Sequence, residues 1–293
     1  MSLTKSFTIG SLRCHTIEAG SQALDGGAMF GVVPKPLWEK KIPADDRNRI
    51  RLSMRCLLIE HPDGLVLVDS GIGNKESEKF KDLYGVDNAA PNGGTQLEMA
   101  LGELGFAPSD VKILLNTHLH FDHAGGNTRF DPEGEAEVPV PTFPNASYVV
   151  QAREFDFGLD SNERTAGSYL PKNFQPVAEA GLWSFLDGPG EVVPGVEVVL
   201  TPGHVPFHQS VMVKDGGETA CFLGDVVPTT AHCPLPWIMG YDLEPVVTLE
   251  SKRALLAKAE AEGWLMVFEH DPEIGLARII KEGKSYGVTP DLG

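Results

Sequence analysis

Short apolar runs of strand length recur along the chain at Leu65 to Val68, Val111 to Leu115, Val196 to Leu200, Ala220 to Leu223 and Leu265 to Phe268, and each stops abruptly at polar residues. Between them, apolar positions fall at three- and four-residue spacing at Leu97, Ala100, Leu101 and Leu104. They do so again at Leu249, Leu256 and Ala259 within the charged stretch Thr248 to Glu262. The runs read as strands and the spaced positions as helices, so the pattern predicts alternation of the two, an α/β fold. The residues that follow the strands carry chemistry: Asp69-Ser70-Gly71, Asn116-Thr117-His118, Thr201-Pro202-Gly203-His204, Gly224-Asp225 and Glu269-His270. In layered α/β folds, ligands sit where loops converge at the carboxyl ends of strands. His or Asp at five such ends predicts a site on that rim.

Two segments fit neither period. Asn74 to Gly94 is polar, with a turn signal at Pro91-Asn92-Gly93-Gly94, and reads as a surface excursion. In Asp25 to Ile50 the apolar residues Met29, Phe30, Val32, Val33, Leu37 and Trp38 are interrupted by Gly31, Pro34 and Pro36. A loop with this much apolar surface either covers the core edge or lines a substrate groove. With the stretch Pro234 to Tyr241 it supplies the candidate pocket residues Met29, Phe30, Trp38, Trp237 and Tyr241, to which His232 just before that stretch is added, and ordinary packing is the competing reading. The 32 glycines and 22 prolines are spread without forming a linker, which predicts a single domain over residues 1–293.

Charge narrows the function. Lys and Arg number 24 against 41 Asp and Glu, a net −17, and such a field repels phosphate backbones and anionic lipid. Neither a nucleic-acid nor a membrane partner is expected. No apolar run approaches the ~18 residues of a membrane span and the opening MSLTKSFTIG has no apolar signal core, so the expected location is cytoplasmic. Cys14, Cys56, Cys221 and Cys233 form no CxxC pair, which argues for buried thiols and against a disulfide framework or a thiolate zinc site. Exposed apolar segments make a homodimer an expectation.

The densest chemistry is NTHLHFDHAGGN, Asn116 to Asn127, which crowds His118, His120, Asp122 and His123 into six positions. Alternate histidines on an extended segment can face one ion, and the Asp-His pair can turn toward a second where Gly125 and Gly126 permit a tight backbone. Imidazole and carboxylate donors without cysteine suit zinc, iron, manganese or cobalt in an open, catalytic site. His204, Asp225 and His270 extend the set to seven, all at strand ends. Of the other histidines, His15 and His61 read as surface residues, His208 as structural, and His232 is left open.

The order HLHFDH, TPGH, GD and EH, over roughly Leu65 to Asp271, resembles the metallo-β-lactamase superfamily. The resemblance implies a four-layer αββα sandwich with a dinuclear metal centre. It implies that His118, His120 and His204 hold one divalent ion, that Asp122, His123 and His270 hold the other, and that Asp225 bridges them, with zinc the leading metal. It also implies that Asp69, in VDSG, supports a ligand from behind. Two ions that share a water lower its pKa and present a bridging hydroxide, the expected nucleophile. Asp122 is the residue expected to carry the proton.

HLHFDHAGG and TPGHVPFHQS are similar to the N-acyl homoserine lactone lactonases, and PTFPNASYVV to the organophosphate and aryl-ester hydrolases of the same branch. The expected activity is hydrolysis of a small, neutral or partly apolar lactone or carboxylic ester. Alternatives are a phosphotriester or aryl-ester hydrolase, a glyoxalase II-like thioesterase, and a metal-binding scaffold without turnover. One departure bears on the choice: lactonases place a tyrosine three residues after the bridging aspartate, where this chain has Pro228. Tyr169, Tyr241 and His232 are the candidates to replace it.

Overall fold

The computed structural model describes residues 2–91, 93–130 and 137–291; Asn92, within the turn signal above, lies outside them. The chain divides into two compact units. One comprises residues 1–8, 12–20 and 54–188, the other residues 9–11, 21–53 and 189–293.

The strands of the first sheet are β1 (Thr4–Ile9), β2 (Leu12–Asp25), β3 (Arg49–His61), β4 (Gly64–Val68), β5 (Val111–Leu115), β8 (Ser147–Gln151) and β9 (Trp183–Leu186), hydrogen-bonded in that order. Between β5 and β8 the chain forms a small hairpin of β6 (Thr128–Phe130) and β7 (Pro139–Pro141). β4, β5, β8 and β9 run parallel, so their carboxyl ends lie along one edge. The core of this unit packs Leu58, Leu67, Leu114, Phe143 and Tyr148 against Leu97, Ala100 and Leu101 of the helix Gln96–Glu103. Thr95 and Glu98 start that helix with a reciprocal capping box.

The second sheet orders β10 (Gly190–Val193), β11 (Val196–Leu200), β12 (Gln209–Asp215), β13 (Glu218–Phe222), β14 (Leu265–Val267), β15 (Leu276–Glu282) and β16 (Ser285–Pro290). Only β13 and β14 are parallel, and the helix Pro245–Glu262 connects them. Its buried face, Leu255, Leu256 and Ala259, packs on Met212, Cys221, Met266 and Ala277. No helix among the described residues is long and apolar enough to cross a membrane. All four cysteines are buried and unbridged, and burial pushes the thiols of Cys14, Cys221 and Cys233 up to about 12.

The five strands and two helices read from the sequence are present, with strand ends displaced by two residues or fewer. β2 escapes the apolar-run criterion because polar and charged residues interrupt it; β3 does contain such a run, Cys56 to Ile59, beyond the five read above, and charged residues interrupt its first half. Arg55, for example, is buried in β3 against Glu18 of β2, Nε to Oε1 at 2.6 Å.

One expectation is refined and one corrected. Asn74 to Gly94 does run along the surface, with Asn74, Glu78, Lys79, Asp82 and Leu83 exposed, but it is anchored: Ser77 caps a helix at Glu78–Tyr84, Phe80 and Tyr84 pack around Phe121, and Lys75, Glu76 and Asn88 are buried. The buried Lys75 and Asn88 donate to backbone carbonyls, Asn88 to that of Gly73 at 2.6 Å. His15 is not a surface residue; it is 1% exposed, between Ser6 Oγ at 2.8 Å and Glu60 Oε1 at 2.7 Å. The His61 side chain is likewise mostly covered, and its Nδ1 accepts from the Asp63 N–H at 3.0 Å.

Candidate metal centre

In the first unit a single loop carries four candidate ligands. β5 ends at Leu115 and the short helix Phe121–Ala124 begins six residues later, so His118, His120, Asp122 and His123 share one bend of chain. The His118 ring lies 4.5 Å from that of His120 and 4.0 Å from that of His123, centroid to centroid. The close approach of this loop to the chain after β4 requires glycine. A Cβ on Gly126 would stand 2.1 Å from the Ser70 carbonyl oxygen, and one on Gly125 2.2 Å from that of Ile72. Buried Lys75 donates from Nζ to the carbonyls of Gly125 and Thr128.

The parallel register that pairs Val68 with Leu115 sets Asp69 beside the same loop. Its carboxylate accepts from the Thr117 N–H at 2.8 Å and the Thr117 hydroxyl at 2.7 Å, and it faces His123 Nδ1 at 3.1 Å. These contacts hold Asp69 at a φ of 55°, a left-handed conformation that side chains disfavour. Buried Glu154 braces the loop from another direction, accepting from the Leu119 N–H at 3.0 Å and the Tyr169 hydroxyl at 2.7 Å. Burial first, and the nearby Glu154 carboxylate second, push the Tyr169 pKa well up, so it stays a hydrogen-bond donor. Its ring meets His120 edge-on at 4.7 Å.

In the second unit three strands each lead to one candidate ligand. Phe222 of β13 pairs with Val267 of β14, so Asp225 and His270, each three residues further on, leave the sheet level with one another. One Asp225 oxygen lies 3.0 Å from His270 Nε2 and the other 3.0 Å from His204 Nε2. His204 follows β11 through Gly203, whose φ of 132° and contact with Thr248 exclude a side chain: a Cβ there would stand 2.2 Å from the Thr248 nitrogen. Behind the ligands, His204 Nδ1 faces Asp242 Oδ1 at 2.9 Å and His270 Nδ1 donates to the Ser53 carbonyl at 2.7 Å. His208 has the structural place expected of it, with Nδ1 2.8 Å from the Thr201 hydroxyl and Nε2 accepting from the Asp225 N–H at 3.0 Å.

These surroundings decide tautomers, and the tautomers test whether cations fit. The Nδ1 atoms of His123, His204 and His270 face acceptors. That of His118 faces the hydroxyl of Thr117, whose own proton goes to Asp69. Each of these rings, when neutral, carries its proton on Nδ1 and a lone pair on Nε2. At His204 and His270 that lone pair confronts a carboxylate oxygen at 3.0 Å, a repulsive pairing unless a proton or a metal cation lies between. Imidazole nitrogens braced through Nδ1 and mixed with carboxylates are the donor set of a borderline divalent ion such as zinc. The residues fit the metals that the sequence implies.

The sequence profile of the Metallo-beta-lactamase superfamily matches residues 52–270. The chain belongs to the metallo-beta-lactamase superfamily. Superfamily members of known activity include the N-acyl homoserine lactonase AttM of Rhizobium radiobacter, 32% identical over 231 residues that cover 74% of this chain and 81% of AttM. N-acyl homoserine lactonase AiiA of Bacillus thuringiensis subsp. kurstaki is 28% identical over 248 residues, 83% of this chain and 87% of AiiA. A crystal structure of a probable metal-dependent hydrolase from Staphylococcus aureus superposes with a TM-score of 0.87 at 30% identity, covering 98% of this chain and 99% of that one. The dizinc quorum-quenching lactonase AidC, solved with a product, shares the fold at a TM-score of 0.79 and 19% identity, over 99% of each chain. The architecture is the metallo-β-lactamase fold, and the chain is a metal-dependent hydrolase.

The expected pocket wall is corrected in part. Met29, Phe30 and Trp38 are fully packed side chains of one cluster with Ile50, Leu52 and Met239, and they offer no surface to a substrate. His232 belongs to the same core: it stacks on Phe30 at 4.6 Å, with its ring nitrogens 2.7 Å from the Thr229 hydroxyl and 2.8 Å from the Met29 carbonyl. Burial pulls its pKa down to about 3, so it is a neutral packing residue. Of the six, Trp237 is partly buried against this cluster and Tyr241 is 38% exposed. The braces Asp242, Glu154 and the Ser53 carbonyl had no signal in the sequence, since none lies in a motif with the loop or histidine it supports, whereas Thr117 stands beside His118 in the motif itself.

Proposed function

We propose that the chain is a dinuclear metallohydrolase that opens a lactone or cleaves a carboxylic ester, and that residues 1–293 act as one domain in doing so. In this reading His118, His120 and His204 would hold one ion and Asp122, His123 and His270 the other, with Asp225 available to both. The observation that carries it is the paired 3.0 Å approach of two Nδ1-braced histidines to the two oxygens of Asp225, which suits a carboxylate shared between cations. The similarity to AttM and AiiA supports a lactone as the substrate class, and the dizinc lactonase AidC, which shares the fold, supports zinc as the metal. Divalent ions at such a centre supply Lewis acidity toward the ester carbonyl and lower the pKa of water.

The chain's own residues then have distinct tasks. Asp69, Thr117, Asp242 and the Ser53 carbonyl fix ring orientation, so that little reorganisation is left for the reaction. Asp122 carries a proton toward the leaving alkoxide, the role for a carboxylate that is ligand and neighbour at once. Trp237 and Tyr241 face the apolar part of the substrate. Of the three candidates to replace the lactonase tyrosine, the Tyr169 hydroxyl donates to Glu154 and His232 is locked in the core, which removes both from the carbonyl oxygen.

The test is a substrate panel with zinc-reconstituted protein: an N-acyl homoserine lactone, a p-nitrophenyl ester, paraoxon and an acyl-glutathione thioester. Lactone or ester hydrolysis is expected to lead, with two ions per chain by elemental analysis. Paraoxon or thioester turnover above both would replace the substrate assignment, and a single ion after resupply would remove the dinuclear one.

A further inference from the structure

The helix Pro245–Glu262 presents Thr248, Lys252, Leu255, Leu256 and Ala259 on its buried face. At the second of these positions an apolar side chain would serve packing alone. Lys252 is instead 1% exposed, and burial lowers its pKa to about 7, so keeping an ammonium there is costly. Its Nζ is surrounded by three backbone carbonyls of one short segment: Pro234 at 2.9 Å, Leu235 at 3.4 Å and Trp237 at 2.7 Å. An ammonium has three donors to match them. A neutral amine has two, and an apolar side chain none.

The segment so gripped lies nine residues beyond Asp225 and leads directly to Trp237 and Tyr241. It is tied elsewhere to the short helix Gly26–Phe30. Gly240 N–H donates to the Ala28 carbonyl at 2.7 Å, and the Trp237 ring meets Phe30 edge-on at 5.7 Å. Those contacts set the segment's outer edge; Lys252 is what holds it from within the core.

We propose that Lys252 is a positioning residue, whose three-carbonyl grip on Pro234 to Trp237 sets the wall that Trp237 and Tyr241 present to the substrate. The part concerning substrate rests on the function proposed above; the grip itself does not. Lys252 touches no reacting group, so its loss acts on substrate affinity more than on turnover.

The test compares wild type, K252M and K252R as metal-loaded full-length proteins by amide hydrogen exchange and by steady-state kinetics on a long-acyl homoserine lactone. In K252M, exchange across residues 230–241 is expected to rise about tenfold or more, with β11 to β13 unchanged. KM is expected to rise about tenfold, with kcat within about threefold and metal content unaltered, and K252R recovers most of the exchange protection. Wild-type exchange in residues 230–241 of folded K252M would overturn the proposal. So would acceleration spread equally over β11 to β13, the mark of general destabilisation. Should K252M not fold, K252R decides: near-wild-type exchange in 230–241 supports the grip, and tenfold acceleration refutes it. Failure of the wild type on every lactone would remove the proposed function, while the exchange result would still judge Lys252.

Discussion

The two units present their candidate ligands in opposite ways. In the first, four candidates lie within six residues on one loop, and most of the structural effort goes into bending that loop: Gly125 and Gly126 at sub-contact distance from the chain after β4, Asp69 in a strained conformation, Lys75 on two carbonyls. In the second, three candidates come from three strand ends, and sheet register does the work. Pairing Phe222 with Val267 is enough to place Asp225 against His270. A local cluster needs a tightly folded backbone; a dispersed one needs a rigid sheet. The first unit's ligands are therefore sensitive to backbone changes in the loop, and the second's to whatever fixes side chains between strands.

The largest effect expected is at the residue on which the second unit's ligands converge. Asp225→Ala removes the carboxylate shared by His204 and His270 and should lower kcat/KM by several kcal/mol of transition-state stabilisation, about a thousandfold, measured by steady-state kinetics with metal content in parallel. The glycines test the backbone side of the contrast. Gly126→Ala should destabilise by roughly 2 to 4 kcal/mol in urea melts, because the Ser70 carbonyl cannot move without unseating Asp69. Gly203→Ala sets both a disfavoured φ and Thr248 against its Cβ and should cost as much; both should reduce metal occupancy, Gly126→Ala through the loop ligands and Gly203→Ala through the neighbouring His204.

Stability of the second unit should also depend on pH through His232. Its pKa falls from about 6.5 in the unfolded chain to about 3 in the folded one, so below pH 6.5 the unfolded state binds the proton that the folded state refuses. The stability held by the neutral ring is complete above pH 6.5 and is lost as pH falls toward 3. Between pH 6.5 and 4, wild type should lose about 3 kcal/mol more than His232→Gln, followed by urea titration at each pH. Equal slopes would mean that the ring is less buried than the packing on Phe30 indicates.

The smallest paired effect concerns the braces. Asp69→Asn and Asp242→Asn each keep shape and remove the charge behind a histidine, and each should weaken metal binding about 10- to 100-fold in competition with a chelator. Asp69→Asn should be the more severe of the two, since Asp69 also accepts from Thr117 and so supports His118 and His123 together. The reverse order would show that the dispersed half depends on side-chain bracing more than the compact one.

By itself the sequence determined the α/β alternation, the strand ends that bear ligands, the histidine-rich loop and the superfamily that it resembles. It could do so because each of these is written in neighbouring residues: an apolar run makes a strand, and six positions suffice to hold four ligands. Tertiary structure alone decided that Met29, Phe30, Trp38 and His232 are core, that Lys75 and Lys252 are buried on carbonyls, and that Asp242, Glu154 and the Ser53 carbonyl stand behind the histidines. Those roles depend on which strands pair and in what register, across separations of up to 217 residues between Ser53 and His270. Burial and long-range hydrogen bonding are properties of that pairing, and no local pattern of residues encodes them.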